Sequence, residues 1–141
     1  MATITLHTVR EKQVLDITPD VEKFLAGQDA REGICHLFLT HTTAALTTAD
    51  LDPGTDLDTL DAFAALVPKL QYRHPHDPAH MPDHILSTLI GASLALPVRS
   101  GKPVLGEWQR IVLVEFAGPR EREIACSWIS ENCGVRESAG T

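Results

Sequence analysis

Cysteine, aromatic residues and long apolar runs are all scarce in this chain of 141 residues. Aromatic residues make up 5% of it, and the three cysteines are Cys35, Cys126 and Cys133. An odd number of cysteines without close pairing argues against a disulfide framework, which favours a reducing, cytoplasmic setting. No apolar run approaches the roughly 20 residues of a membrane span, and no basic start precedes an apolar stretch at the N-terminus. We therefore expect no membrane association and no secretory signal.

Basic residues are also in deficit. The formal net charge is −7, which disfavours nonspecific binding to nucleic acid or to anionic membranes. Hydrophobic residues make up 43% and charged residues 22%, close to the average of globular proteins. This composition excludes long disordered or collagen-like segments and predicts one folded domain.

Signatures of several large enzyme classes are missing as well. The sequence has no Ser-His-Asp pattern, no glycine-rich phosphate loop and no dinucleotide fingerprint. Any catalytic chemistry must therefore come from other residue types.

The hydrophobic pattern predicts about seven strands and three helices. Thr18-Pro19, Asp52-Pro53 and Pro82 are expected helix starts, because a capping residue or a proline suits the first turn, and Val104 to Phe116 is expected to be a long β-rich stretch. Strands and helices do not alternate regularly, so we predict an α+β fold rather than a doubly wound parallel sheet. A single domain is expected over residues 1–130, followed by a polar tail over 131–141.

Histidine is the one unusual count, with seven residues in the chain. His41 lies in Thr40-His41-Thr42-Thr43, where one β-run ends and another begins. A neutral imidazole in such a corner can bind a metal or move protons near neutral pH. It can equally be a surface residue that hydrogen-bonds to threonine hydroxyls.

Four of the histidines fall between residues 74 and 84, together with two aspartates, and Arg73 directly precedes them. Histidine and aspartate suit zinc, iron and other first-row divalent ions, although the spacing matches no named zinc motif. The alternative is a polar loop whose histidines titrate without a role. If Pro82 begins a helix, His84 lies in its first turn and His80 lies outside it.

Two further groups of charged residues are candidates for the same chemistry. Asp50 and Asp58 belong to an acidic cluster and could contact a metal or a substrate, although such carboxylates also stabilise the start of a helix. Gly118-Pro119-Arg120-Glu121-Arg122 is expected to be a tight turn that presents two arginines, and arginine binds phosphate in a bidentate manner. Exposed arginines in a turn are more often simply solvated.

Six short motifs occur in order along the chain and together resemble the YjbQ-like family, often labelled secondary thiamine-phosphate synthase. The resemblance runs from about residue 3 to about residue 130. The motifs are His41-Thr-Thr-Ala-Ala-Leu-Thr47, the Asp52-Pro53 helix start, Tyr72-Arg-His74, Met81-Pro-Asp-His84 with Leu89-Ile-Gly91-Ala-Ser93, Leu105-Gly-Glu-Trp-Gln109, and Glu115-Phe-Ala-Gly-Pro-Arg120-Glu-Arg122.

The resemblance implies an α+β fold of mostly antiparallel sheets, assembled as a homotrimer, with a pocket near the subunit interface. His41 and His84 would line that pocket as catalytic acid or base groups, with Asp50 as an accessory. His41, His74 and His84 would hold a divalent metal ion such as zinc or magnesium, while Arg73, Arg120 and Arg122 would bind a phosphorylated small-molecule substrate. The implied activity is a weak thiamine-phosphate synthase reaction, in which a thiazole phosphate nitrogen attacks a pyrimidine pyrophosphate and pyrophosphate leaves.

The sequence departs from the family pattern at four places. Ala49-Asp50 stands where the family usually has Asn-Glu, and His80 stands where asparagine or aspartate is common. Glu107 replaces a threonine and Ala117 replaces an aspartate.

Three alternatives to the synthase function stay open. The protein could be a metal-dependent hydrolase of a small phosphorylated molecule or a non-catalytic metabolite- or metal-binding protein, or its histidines could only stabilise the trimer.

Overall fold

Antiparallel pairing joins all the strands in the computed structural model, which describes residues 1–131. The strands are β1 (Ala2–His7), β2 (Gln13–Asp16), β3 (Gly33–Leu39), β4 (Ala44–Ala49), β5 (Ser93–Arg99), β6 (Lys102–Pro103), β7 (Arg110–Glu115) and β8 (Glu121–Ser130). The helices are α1 (Thr18–Gly27), α2 (Thr55–Leu66) and α3 (Met81–Ile90), with a short 3-10 helix at Pro78–His80. This confirms the predicted α+β class with three helices and antiparallel sheets.

The strands form two sheets that share the main core. The larger sheet has the order β1-β8-β3-β5-β6 and the smaller one has the order β2-β7-β4. Side chains of both sheets and of α1 meet in one buried cluster that includes Leu37, Leu46, Leu113 and Ile124. Alternate side chains of β3 point into this cluster, as expected for a strand with one buried face.

Strand β7 is the central strand of the small sheet and is buried on both of its faces. Ile111 and Leu113 belong to the core between the sheets, whereas Val112 and Val114 pack on the opposite side, in a second cluster that includes residues of α2 and α3. The run Ile-Val-Leu-Val is continuous rather than alternating because neither face of the strand meets water. The molecule therefore has three layers, with α2 and α3 outside the small sheet.

Local chemistry accounts for where the helices begin and end. Helix α3 begins at Met81, so His84 lies in its first turn and His80 lies outside it, as predicted, and Gly91 ends the helix at a φ of 107°. Helix α1 begins at Thr18, but Ile17 occupies the N-cap. The Thr18 hydroxyl instead accepts a hydrogen bond from the Ile111 backbone N–H at 2.9 Å.

Two expectations about element boundaries were wrong, and a third falls largely outside the described residues. Helix α2 begins at Thr55 rather than at Asp52-Pro53, because Gly54 adopts a φ of 92° at the N-cap and Asp52-Pro53 forms the preceding turn. The β-rich stretch from Val104 to Phe116 is regular only over β7. The predicted tail, residues 131–141, lies outside the described residues except for Glu131.

A buried ion pair joins the two sheets near the ends of β7 and β8. The Arg122 Nε donates to Glu115 Oε2 at 2.7 Å and its Nη2 donates to Oε1 at 3.0 Å, and the two side chains are 1% and 0% exposed. This corrects the prediction that Arg122 is exposed in a turn: it is the second residue of β8 and points into the protein.

No helix in residues 1–131 has both the length and the apolar character needed to cross a bilayer.

Glu115→Gln should lower the free energy of unfolding by about 3–5 kcal/mol, because it leaves the buried guanidinium without its counter-charge. Urea unfolding followed by circular dichroism measures this. The matched control is Glu121→Gln, since the Glu121 side chain is 58% exposed and its loss should change stability by less than about 1 kcal/mol. Equal stability of the two variants would show that the pair does not stabilise the fold.

Candidate functional site

The turn that connects β3 to β4 carries the first candidate histidine. Residues 40–43 cross here from the large sheet to the small one, since β3 and β4 belong to different sheets. The His41 Nε2 accepts a hydrogen bond from the backbone N–H of Glu123 at 2.9 Å. A neutral imidazole that accepts at Nε2 must carry its proton on Nδ1. His41 therefore offers an N–H donor at Nδ1.

Its surroundings keep His41 uncharged. Burial lowers the pKa of His41 below its usual value of 6.5, and the Arg122 guanidinium lowers it further. The carboxylates of Glu123 and Glu115 act in the opposite direction, and Arg120 adds to the lowering. At pH 7 the ring is neutral, so it can donate from Nδ1 while it accepts at Nε2.

The second candidate histidine, His84, is held by the same turn. Its Nδ1 lies 3.0 Å from the backbone carbonyl oxygen of Thr42, and a carbonyl only accepts hydrogen bonds, so Nδ1 is the donor. In the neutral ring the remaining nitrogen, Nε2, keeps a lone pair that no hydrogen bond occupies within residues 1–131. His84 is thus an acceptor and base, complementary to the donor at His41.

Two contacts fix helix α3, and so fix His84, against the small sheet. The Ser87 hydroxyl donates to the carbonyl of Ala44 at 2.6 Å. The Lys12 ammonium, on the turn between β1 and β2, lies 2.6 Å from the buried carboxylate of Asp83 and also donates to the Phe116 carbonyl. Asp83 directly precedes His84, so this ion pair holds the first turn of α3 in place.

An open cleft of about 700 Å³ lies between the β3–β4 turn and α3; we call it the histidine cleft. Its polar lining residues are Thr40, His41, Thr42, His84, Ser87 and Thr88. The structure therefore brings the two principal predicted histidines into one cleft, although they are far apart along the chain.

His74 contacts His84 from the loop before the 3-10 helix. The two rings stack with their centroids 5.0 Å apart and an angle of 13° between their planes. The His74 Nδ1 accepts the backbone N–H of Asp77 at 3.1 Å, so its proton lies on Nε2. The other two histidines of this segment are His76, whose ring centroid lies 6.0 Å from that of His74, and His80, which lies 3.4 Å from the Asp77 carboxylate.

The three predicted metal ligands do not fit a shared metal ion in this arrangement. A metal needs a ring-nitrogen lone pair from each imidazole, but Nε2 of His41 and Nδ1 of His74 are occupied by backbone N–H groups. Of these three histidines, only His84 keeps a ring-nitrogen lone pair that is unoccupied in the part of the chain that the structure describes. Within residues 1–131 no three His, Cys, Asp or Glu side chains are grouped so that they could hold a metal ion.

The other predicted site residues are dispersed around the cleft. Asp50 is exposed before α2, where its carboxylate accepts the backbone N–H of Asp52 at 2.8 Å. Arg73 is exposed in the loop next to His74. Arg120 is exposed and its Nε donates to the Ala117 carbonyl at 2.8 Å, whereas Arg122 faces inward. None of these four residues lines the histidine cleft.

Several contacts that define the cleft had no clear signal in the sequence. The Thr42 carbonyl and the Glu123 N–H are backbone groups, which every residue type supplies. The Lys12–Asp83 pair joins residues 71 positions apart. Only Glu115 carried a signal, since a carboxylate in the middle of the apolar run Val-Leu-Val-Glu-Phe requires a buried partner.

Comparison with known proteins places the chain among related sequences and structures. The family model described as "UPF0047 protein YjbQ-like" matches residues 2–131. A UPF0047 protein of Archaeoglobus fulgidus is 37% identical over 122 residues, which cover 86% of this chain and 94% of that protein. The UPF0047 protein YjbQ of Salmonella typhimurium is 41% identical over 112 residues, covering 74% and 81% of the two chains.

Solved structures of similar proteins share the fold of this chain. A YbjQ-like protein of Sulfolobus solfataricus superimposes with a TM-score of 0.85 at 34% identity, covering 92% of this chain and 96% of that one. A YjbQ/UPF0047 family protein of Clostridium acetobutylicum gives a TM-score of 0.82 at 32% identity, covering 92% and 100%. These names state a family and no reaction.

Acidification should destabilise the protein in part through His41. Because the folded protein binds the His41 proton less tightly than the unfolded chain, the neutral ring's stabilisation is present above pH 6.5 and is lost as pH falls towards the lowered pKa. Urea unfolding between about pH 7.5 and about pH 5 should show a smaller acid-induced loss in His41→Gln than in the wild type. Glutamine can accept the Glu123 N–H through its amide oxygen but does not titrate.

The control for this measurement is His76→Gln, which removes an exposed imidazole from the histidine-rich loop. Its pH dependence should follow that of the wild type. If His41→Gln and the wild type lose stability in parallel on acidification, the ring of His41 is not held neutral by its surroundings.

Proposed function

The chain belongs to the UPF0047 YjbQ-like family, and we propose that its histidine cleft is the active site of a small-molecule enzyme. The proposed reaction is a transfer of the thiamine-phosphate synthase type. The observation that carries the proposal is the pairing of a neutral donor, His41 Nδ1–H, with a free acceptor, His84 Nε2, across one open cleft. Two imidazoles in complementary states are suited to bind and polarise a substrate with both donor and acceptor groups.

The chemical demand of the reaction matches these groups. The thiazole nitrogen forms a bond to the pyrimidine-bound carbon, the bond from that carbon to oxygen breaks, and pyrophosphate leaves with the electron pair. The His41 N–H would stabilise the developing charge on the departing oxygen by a hydrogen bond. The His84 Nε2 would accept a hydrogen bond from an amino or hydroxyl group of the substrate and so orient it.

The positive charge that neutralises the pyrophosphate group would come from the arginines outside the cleft. Arg120 is exposed and its charge acts on His41, so it is the guanidinium that we assign to phosphate binding. Arg73 lies beside His74, which stacks on His84, and is the second candidate. Asp50 retains only an accessory role, since its carboxylate already accepts the backbone N–H of Asp52 in the turn before α2.

The direct test supplies the pyrimidine pyrophosphate and the thiazole phosphate and measures the joined product and released pyrophosphate. His41→Gln and His84→Gln should each lower kcat by roughly 100-fold, because each removes one hydrogen-bonding group at the reacting centre. The control His76→Gln should retain wild-type turnover. Full activity of both cleft variants would exclude these histidines from the chemistry.

A hydrolase of a small phosphorylated molecule is the second candidate, favoured by the free lone pair of His84, which could take a proton from water. Phosphate release without a joined product would identify it. Tight binding of either substrate with no product at high protein concentration would indicate a binding protein. A lowered melting temperature in His84→Gln, with no activity in the wild type, would indicate a structural role.

Removal of zinc is expected to leave turnover unchanged, because two of the three predicted imidazole ligands have no free lone pair. Dialysis against a chelator, followed by the same product assay, tests this. Lost activity that returns on addition of zinc would overturn the expectation and favour a zinc-dependent reaction.

We also propose that the outer face of the large sheet mediates assembly into a homotrimer. Ile34 and Ile129 are paired neighbours on β3 and β8, and together with Phe38 they leave an apolar patch about half exposed. Phe38 also lines the histidine cleft, which would set the cleft beside the interface.

Light scattering after size exclusion should give three times the chain mass for the wild type. The double variant Ile34→Lys with Ile129→Lys should give the mass of a monomer. A monomeric wild type would contradict the proposal.

A further inference from the structure

Both imidazoles of the histidine cleft depend on one turn for their hydrogen-bonding state. Residues 40–43 include His41 itself, and the Thr42 carbonyl of the same turn accepts the Nδ1–H of His84. If the turn shifts, the acceptor of His84 moves, and the His41 ring moves relative to the Glu123 N–H. The donor and the acceptor of the cleft are therefore set together.

Arg122 holds this turn from inside the protein. Its Nη2 donates to the Thr43 hydroxyl at 2.8 Å and to the Thr43 carbonyl at 3.1 Å. The bidentate contact with Glu115 fixes the plane of the guanidinium, and the Thr8 hydroxyl donates to the same carboxylate at 3.2 Å. A group that is 1% exposed and held by a fork of this kind has little freedom to move.

The residue after Arg122 completes the contact between β8 and the turn. The Glu123 N–H donates to His41 Nε2 at 2.9 Å, and the Glu123 carbonyl accepts the backbone N–H and the hydroxyl of Thr40, both at 3.2 Å. Two consecutive residues of β8 thus hold both ends of the turn, Arg122 at Thr43 and Glu123 at Thr40 and His41.

We propose that Arg122 is a positioning residue of the cleft: its hydrogen bond to the Thr43 hydroxyl, the shorter of its two contacts with Thr43, holds His41 and His84 in the Nδ1–H form. This assigns Arg122 a role through other residues rather than in contact with a substrate phosphate. The expected effect of Arg122 on turnover rests on the proposed function of the cleft. Its expected effect on the tautomers of His41 and His84 does not. His74 carries its proton on Nε2 and therefore serves as an internal reference for the other tautomer.

The first measurement is the tautomeric state of the histidines in the folded protein, read from nitrogen-15 chemical shifts of the ring nitrogens at about pH 7.5. In the wild type, His41 and His84 should show protonated Nδ1, and His74 should show protonated Nε2. Protonated Nε2 at His41 or His84 would overturn the proposal before any variant is made.

Two variants then test the clamp without removing the buried charge. Thr43→Val keeps the shape of the side chain and the Arg122–Glu115 pair but removes the hydroxyl contact, and Thr43→Ser is its matched control. Arg122→Lys keeps the charge but cannot contact Glu115 and Thr43 through one planar group. Circular dichroism and a thermal melt establish which variants are folded.

In folded Thr43→Val and Arg122→Lys we expect His41 and His84 to populate a mixture of tautomers, while His74 remains unchanged. Thr43→Ser should retain the wild-type pattern. If the cleft is catalytic as proposed, kcat should fall about 10- to 100-fold with a smaller change in KM, since misplaced groups lose more in the transition state than in binding.

The outcomes separate the two proposals. Should Arg122→Lys fail to fold, Thr43→Val decides the result by itself. Wild-type tautomers in a folded Thr43→Val would overturn the positioning role, whatever the activity. Mixed tautomers in a protein that shows no turnover in any form would support the positioning role and reject the proposed function.

Discussion

The buried ion pair between Arg122 and Glu115 is the interaction on which the arrangement of the cleft depends. Two charges inside a protein lose their hydration, a penalty of several kcal/mol for each ion, unless hydrogen bonds replace it. Here the guanidinium makes two contacts to the carboxylate and two to Thr43. The pair spans the two sheets at the point where the chain crosses between them, so satisfying the charges also fixes the crossing turn.

The chemistry of the cleft follows from that turn and from the placement of α3. The turn presents one imidazole as a donor and orients the other, on α3, as an acceptor. The Lys12–Asp83 pair and the Ser87 contact keep α3 against the small sheet. Neither histidine needs an unusual local sequence for this, because backbone groups that lie far away along the chain supply the partners.

The net charge of the chain and the charges around the cleft act in opposite directions. A net charge of −7 gives no long-range attraction for phosphorylated molecules, whereas Arg120 and Arg122 act on His41 directly. Burial of the ring, with the positive field of these two arginines added to it, disfavours a positive charge on His41 and keeps it neutral. A neutral donor suits a site that must hold polar groups without releasing a proton to them.

The sequence by itself determined the antiparallel α+β class, the family, the start of α3 near Pro82 with His84 in its first turn, and the two histidines that line the cleft. These features depend on local periodicity, on capping chemistry and on motifs that are contiguous in the chain. The tertiary structure alone decided that Arg122 is buried rather than exposed, that Asp50 is engaged beside α2, and which nitrogen of each ring is free. The reason is physical for the two rings of the cleft: the groups that fix their nitrogens lie 42 residues from His84 and 82 residues from His41, and both are backbone groups, which look the same at every position of a sequence.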